Sequence, residues 1–260
     1  MRILILISRC LSALLLCLLP VAAAAASLTQ TIVTIKPSIV GIGTQLSTRS
    51  PQVSFFATGF VVGDGLSVIT NAHALPETLD LVHFEKIGVV TGSAAELAFR
   101  TAVVAGIDRE HDLLHLRISG TPLPALALGA SDELKEGAAV AFTGFPLGML
   151  LGMQPATHRA TVSAITPIVL PALNSRELDA RTIAQQRSHA FAIFQLDGTA
   201  YPGNSGSPLY DPETGLVYGV INMTALKHLK ENAVSAPSGI SYAIPARYVQ
   251  QLLQADSSRR

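Results

Sequence analysis

The chain has 260 residues, 49% of them apolar, with 18 basic residues against 18 acidic ones. That length and apolar content can bury one large core or two smaller ones, which excludes a disordered chain. The balanced charge supplies no basic field, which argues against nucleic acid as a partner.

The first thirty residues read MRILILISRCLSALLLCLLPVAAAAASLTQ. Arg2 and Arg9 accompany an apolar run, and alanines precede Ser27, which is the order of a secretory signal. Residues 1–26 are therefore expected to be a signal peptide cleaved after Ala26, directing the chain to the periplasm or the cell exterior. The run Ala13–Ala26 is 14 residues, short of the roughly 18 needed to span a bilayer. No stable membrane anchor is expected once it is removed, and Leu16 before Cys17 is too large for a lipid-attachment signal. Cys10 and Cys17 both lie in this segment, so the exported chain is expected to lack disulfides.

Beyond Ser27, short apolar runs rich in Val, Ile, Phe and Thr alternate with Gly, Pro, Asn and Asp, the pattern of many short strands. In chain order these are SIVGIGTQ, SFFATGFVV, LSVITNA, ELAFRTAVVAGID, LLHLRIS, AAVAFTGFP, RATVSAI, FAIFQLD, GLVYGVINM and SYAIP. With so few intervening helices, a barrel or sandwich is expected rather than an α/β sheet. Two successive β units hidden by divergence would fit the length. Asn174–Gln186 has helix formers but is polar nearly all round, and reads as a partly helical surface loop. The end of the chain predicts a helix over 245–254, opened by Pro245, with Tyr248, Val249, Leu252 and Leu253 on one face. Residues 255–260 read as a polar tail.

The segment DGTAYPGNSGSPLYD, Asp197 to Asp211, sets Ser205 between glycines. A serine hydroxyl attacks only when a base takes its proton, and the resulting oxyanion needs backbone N–H donors close by. Glycines on either side let the amides of Gly203 and Ser205 turn to one point, although Gly and Ser are also ordinary turn residues. Among seven histidines, His73 stands at the end of an apolar strand in VITNAH, a rigid mount for a base. A carboxylate must orient that base. DREHDLLHLRI offers Asp108 and Asp112, of which Asp112 opens the strand and is preferred. A metal site built from His111, His115 and Asp112 lacks any further ligand pattern, so no metal and no cofactor are expected. An α/β-hydrolase would need the order Ser, acid, His, whereas here the histidine comes first.

TGFVV…VITNAH, HDLLHLRI and QLDGTAYPGNSGSPLYD, in that order, resemble the three catalytic segments of trypsin-like (chymotrypsin-fold) serine proteases, closest to the HtrA (Deg) family. AFTGFPLG and GLVYGVINM…GISYAIP extend the likeness over nearly all of the chain after the signal. The resemblance implies an all-β fold of two six-stranded antiparallel barrels with a short C-terminal helix. The first barrel is expected at about 27–125 and the second at about 126–244, within a protease domain over 27–254. It further implies that His73 is the general base, Asp112 its orienting acid and Ser205 the nucleophile of an endopeptidase. The oxyanion hole falls on the amides of Gly203 and Ser205, with Asn204 between them as a third donor.

Two departures from the family pattern stand out. Ser207 occupies a position that is usually glycine, and a PDZ domain is expected to be missing. The walls of the primary specificity pocket map to Thr199, Ile221, Asn222, Met223 and Ser241, none of them charged. Cleavage after a small or medium apolar residue is therefore expected. The loops 171–190 and 226–239 map to places where the family switches between ordered and disordered sites. Expected partners are protein or peptide substrates, unfolded proteins among them in a quality-control role, with self-assembly left open. The non-enzyme alternative is the same fold acting as a binding or chaperone module with a misaligned triad.

Overall fold

The computed structural model describes residues 27–76, 78–92, 97–148, 152–168, 191–223 and 239–257. The segment 1–26 expected to be a signal peptide, the polar stretch Asn174–Gln186 within 171–190, the loop 226–238 and the last three residues lie outside the described residues.

The chain opens with helix α1, Leu28–Ile35, which the sequence reading did not anticipate. Its signal is Ser27 followed three residues later by Gln30, whose Oε1 accepts from the Ser27 amide at 3.2 Å, half of a reciprocal cap at the helix start. Six strands follow: β1 Ile39–Gln45, β2 Val53–Val62, β3 Ser67–Asn71, β4 Lys86–Thr91, β5 Ala98–Asp108 and β6 Leu113–Ile118. They close into a barrel in the order β1-β2-β3-β6-β5-β4. Six more, β7 Ala139–Gly144, β8 Ala156–Ile168, β9 Phe191–Asp197, β10 Pro208–Tyr210, β11 Val217–Asn222 and β12 Ile240–Pro245, close a second barrel. Its order, β7-β8-β9-β12-β11-β10, repeats that of the first. The two units thus share one topology, and closure leaves neither with an open edge strand. The fold is the all-β, two-barrel architecture expected from the sequence.

Two strands escaped the sequence reading. β4, KIGVVT, is short and interrupted by Gly88; β10 is three residues long and begins with Pro208, which a strand tolerates at its first position.

Three apolar clusters hold the molecule together. Val40, Ile42, Val61, Val68, Leu114 and Leu116 fill the first barrel. Val140, Phe142, Val162, Phe194, Leu196 and Ile221 belong to the cluster inside the second. The third joins the barrels: Phe60, Ile69 and Leu113 of the first meet Ala141, Tyr210, Val220 and Ile244 of the second. Apolar burial stabilises by roughly 25 cal/mol per Å2, so this shared cluster is what packs the barrels against each other.

Helix α2, Ala246–Ser257, inserts Val249 and Leu252 into the shared cluster, with Tyr248 and Leu253 partly buried beside them, as the expected apolar stripe requires. Its limits differ from expectation. Pro245 ends β12 rather than opening the helix, and Ala255–Ser257 are helical rather than tail. Asp256 is buried and meets His115 of β6, Nδ1 to Oδ2, at 2.7 Å. A bulge between Val104 and Gly106 makes room for it, because a Cβ on Gly106 would lie 2.1 Å from Asp256 Oδ2. A buried carboxylate needs a hydrogen-bond partner, so the pair fixes where the helix ends against the first barrel.

Candidate active site

β3 ends at Asn71, and a single 3-10 turn, Ala72–Ala74, carries His73 out of the first barrel toward the seam with the second. Asp112 occupies the turn between β5 and β6 with φ at +53°, a left-handed conformation that short polar side chains such as aspartate tolerate best. The contacts around Asp112 account for that conformation. Its carbonyl oxygen accepts from the Ala72 amide and from Asn71 Nδ2, both at 3.1 Å. Its carboxylate accepts the His73 amide on Oδ1 at 2.9 Å and meets His73 Nδ1 through Oδ2 at 2.6 Å. Asn222 Nδ2, from the end of β11, donates to the same Oδ2 at 2.8 Å. The histidine side chain is 31% exposed and the aspartate 13%, so the ring reaches solvent while its acid is shielded.

A His–Asp pair is not by itself a site, since three others occur among the described residues. Asp80 meets His83 at 2.7 Å across an exposed turn. Asp108, the carboxylate passed over in the sequence, meets His111 at 2.7 Å. Burial pushes the Asp108 carboxyl up, but hydrogen bonds from the His111 ring and amide outweigh it and hold it below the usual carboxylate value. The His111 ring stacks on Tyr248 of α2 with centroids 3.8 Å apart. With His115 bound to Asp256, the three groups His111, His115 and Asp112 each take a different partner and do not converge on one point.

Ser205 lies between β9 and β10, on a turn shaped by Gly203 at φ +98° and Gly206 at φ +85°. Both glycines are also required by space. A Cβ at Gly203 would fall 2.3 Å from the Phe145 carbonyl oxygen, and one at Gly206 would fall 2.0 Å from the Thr58 carbonyl oxygen. Along the turn the Asn204 amide donates to Tyr201 O at 2.9 Å, that of Gly206 to Ile221 O at 2.9 Å and that of Ser207 to Asn204 O at 3.0 Å. The amides of Gly203 and Ser205 take no acceptor among the described residues. Asn204, read from the sequence as a third donor to an oxyanion, has its amide committed to Tyr201. Its side chain is buried beneath the turn instead.

The turn and the dyad are fastened to each other. The Thr58 amide of β2 donates to Ser205 O at 2.9 Å, and Gly206 binds Ile221, the residue before the asparagine that holds Asp112. No hydrogen bond joins Ser205 Oγ to His73 among the described residues. Such bonds commonly tighten only when substrate is present.

The residues mapped to a specificity pocket, Thr199 apart, each have a definite partner or packing in the structure. Ile221 is wholly buried in the core of the second barrel. Asn222 turns its side chain to Asp112, because its position at the end of β11 faces the seam between barrels. The Ser241 hydroxyl is spent on backbone, donating to Gly198 O at 2.6 Å and accepting from the Ala200 amide at 2.8 Å. That pair of bonds brackets Thr199, which remains half-buried, and Met223 packs against the second core. Sequence reasoning missed Asn71 and Asn222 as supports of Asp112. The signal for the first was already in the segment TNAH.

Residues 57–220 match the family model described as the trypsin-like peptidase domain. Serine protease HTRA4 of Mus musculus is 30% identical over 226 residues, which are 85% of this chain and 39% of that protein. A probable periplasmic serine endoprotease, DegP-like, of Halomonas elongata is 28% identical over 197 residues, 76% of this chain and 34% of that one. The chain therefore spans about two fifths of the length of such relatives. The Rv3671c protease from M. tuberculosis, in the crystal structure of its active form, matches with a TM-score of 0.62 at 21% identity, over 86% of this chain and 82% of that one. That last likeness is one of fold. Because the family match runs from β2 to β11 and so takes in both barrels, the chain belongs to the trypsin-like peptidase family, with HtrA-type serine proteases among its relatives.

Proposed function

We propose that this chain is a serine endopeptidase that cleaves peptide bonds of protein substrates through an acyl-enzyme on Ser205. The observation that carries the reading is the contrast within one turn: its neighbours donate elsewhere, but the amides of Gly203 and Ser205, on either side of Asn204, have no acceptor among the described residues. Donors prealigned for a developing oxyanion are usually the largest single contribution to acyl transfer.

In this mechanism Asp112 holds the Nδ1 proton of His73, leaving Nε2 to accept the proton of Ser205 Oγ. The oxygen attacks the carbonyl carbon, and the charge that develops on the carbonyl oxygen falls to the two free amides. His73 then returns the proton to the leaving amine, and a water molecule, activated by the same nitrogen, releases the acyl group. The hole is assigned to Gly203 and Ser205 only. Cleavage after an uncharged side chain is retained from the uncharged character of Thr199 and Met223. Export through the segment 1–26 belongs to the same proposal, supported by the N-terminal sequence and by a relative described as a probable periplasmic endoprotease.

A fluorophosphonate probe tests the reading. Wild type is expected to be labelled and Ser205→Ala not. No labelling of wild type under any condition would instead favour a binding module of the same fold. Asn222 supplies a second check. Its removal leaves one carboxylate lone pair of Asp112 unpartnered and frees the dyad to rotate. Asn222→Ala is expected to lower kcat by about ten- to a hundred-fold, the scale of one hydrogen bond to a charged group. An unchanged kcat would show that the dyad is held without it.

A further inference from the structure

We propose that the Thr58 hydroxyl is a positioning group that holds the oxyanion site in its donor-out conformation from the opposite barrel. The inference rests on reading Ser205 as the nucleophile.

Thr58 lies on β2 of the first barrel and is wholly buried. Each of its polar groups is engaged. The hydroxyl donates to the Gly203 carbonyl at 2.6 Å and accepts from the Phe145 amide at 3.0 Å. Its amide donates to Ser205 O at 2.9 Å, and its carbonyl accepts from Thr70 Oγ1 at 2.7 Å. A hydroxyl has one proton to give, so the direction of this relay is set: Phe145 to Thr58 to Gly203.

The geometry matters because Gly203 lies between two peptide units, and both are gripped by their carbonyls. The Pro202 carbonyl accepts from the Leu147 amide at 2.7 Å, and the Gly203 carbonyl accepts from Thr58. Peptide units are planar and trans, so a carbonyl pinned on one side sends its N–H to the other. Pinning the Pro202 carbonyl therefore orients the Gly203 N–H, and pinning the Gly203 carbonyl stops the next unit from turning back. A glycine at φ +98° would otherwise rotate with little cost. The turn that supplies the Leu147 amide is itself in an uncommon conformation, with Leu147 at φ +56° and Gly148 at φ +49°. Its first amide, from Phe145, is the one bound to Thr58. The hydroxyl thus ties three segments together: β2, the Phe145–Gly148 turn and the turn of Ser205. Thr70, which grips the Thr58 carbonyl, stands three residues before His73, so the base and the oxyanion site take their positions from the same strand pair.

A chain that merely needed to fill this space would be served by valine, which has the shape of threonine without the hydroxyl. Thr58→Val should therefore fold, yet acylate Ser205 about 10- to 100-fold more slowly, less than the loss of an oxyanion donor outright. The measurements are hydrolysis of p-nitrophenyl acetate and the rate of fluorophosphonate labelling. kcat should fall with KM within about twofold, since only the transition state feels the misplaced amides. Thr58→Ser should recover most of the rate. Acylation by Thr58→Val within about twofold of wild type overturns the proposal, as does a fall confined to KM. If Thr58→Val does not fold, Thr58→Ser against Thr58→Ala isolates the hydroxyl, and equal rates for that pair overturn it. Failure of wild type itself to react with either reagent would instead count against Ser205 as nucleophile, which keeps the two failures distinct.

Discussion

Asp112→Asn will leave the fold intact and lower turnover by roughly four orders of magnitude, the loss expected when an amide replaces the acid of such a triad. The effect comes from the proton on the ring. Asp112 now presents Oδ2 to His73 Nδ1 at 2.6 Å, which requires the proton to sit on Nδ1 and leaves Nε2 as the acceptor. Asparagine, bonded to the His73 amide through its oxygen, would turn an NH2 group toward the ring and favour the opposite tautomer, with the proton on Nε2. In the proposed mechanism His73 could then no longer take the proton of Ser205. Structure should survive because the Asp112 carbonyl keeps its bonds from Ala72 and Asn71, and asparagine adopts φ near +53° as readily as aspartate. Circular dichroism should match wild type, with the urea midpoint lowered because the new NH2 group faces the Asn222 Nδ2 donor, while hydrolysis of a peptide or ester nearly vanishes. Turnover reduced less than about tenfold would mean that His73 does not depend on this carboxylate, and the base would have to be sought elsewhere.

Gly206→Ala is expected to destabilise the protein by about 4 kcal/mol, combining the strain of a left-handed residue with overpacking against backbone. The added methyl would meet the Thr58 carbonyl oxygen at 2.0 Å and Thr70 Oγ1 at 2.4 Å, at φ +85°. Neither neighbour can withdraw cheaply: Thr58 is hydrogen bonded on every side, and Thr70 is the donor to its carbonyl. Gly63→Ala provides the comparison. Gly63 also has a positive φ, +62°, but an added Cβ would find nothing within 4 Å. Only the conformational strain remains there, about 1 kcal/mol. Urea unfolding of both variants separates the contributions. Equal losses would show that the contact of the Ser205 turn with β2 is softer than its geometry indicates. A larger loss at Gly206, accompanied by slower fluorophosphonate labelling, ties the close approach of the two barrels to Ser205, the proposed nucleophile.

These two residues also show how much the sequence disclosed. Gly206 and Ser205 stand out in PGNSGSP, and Asp112 stands out at the head of LLHLRI, because local composition announces turns and strand starts. The strands with clear runs of Val, Ile and Phe were legible for the same reason. Short β4 and β10 were not, since six residues broken by Gly88, or three after a proline, carry too little periodicity to separate from loop. Asn222 misled for a different reason. The family resemblance maps it to the specificity pocket, and nothing in GLVYGVINM shows that its amide reaches across 110 positions of chain to Asp112.

Histidines make the distinction sharpest. His83 and His111 bind aspartates three residues away in the chain, as local turn geometry allows, and a reader of the sequence could find those pairs without any fold. His73 and His115 bind aspartates at the far side of 39 and 141 positions. By itself the sequence determined the strand-rich class and the three segments that carry His73, Asp112 and Ser205, with their order along the chain, because burial pattern and residue type are local properties. Only the tertiary structure decided which carboxylate faces His73, that Asn222 secures it, and that Thr58 grips Gly203 from the other barrel. The physical reason is barrel closure. Closing two six-stranded sheets brings β2, β3, β6 and β11 to one seam, and hydrogen-bond partners across that seam are set by register between strands far apart in sequence.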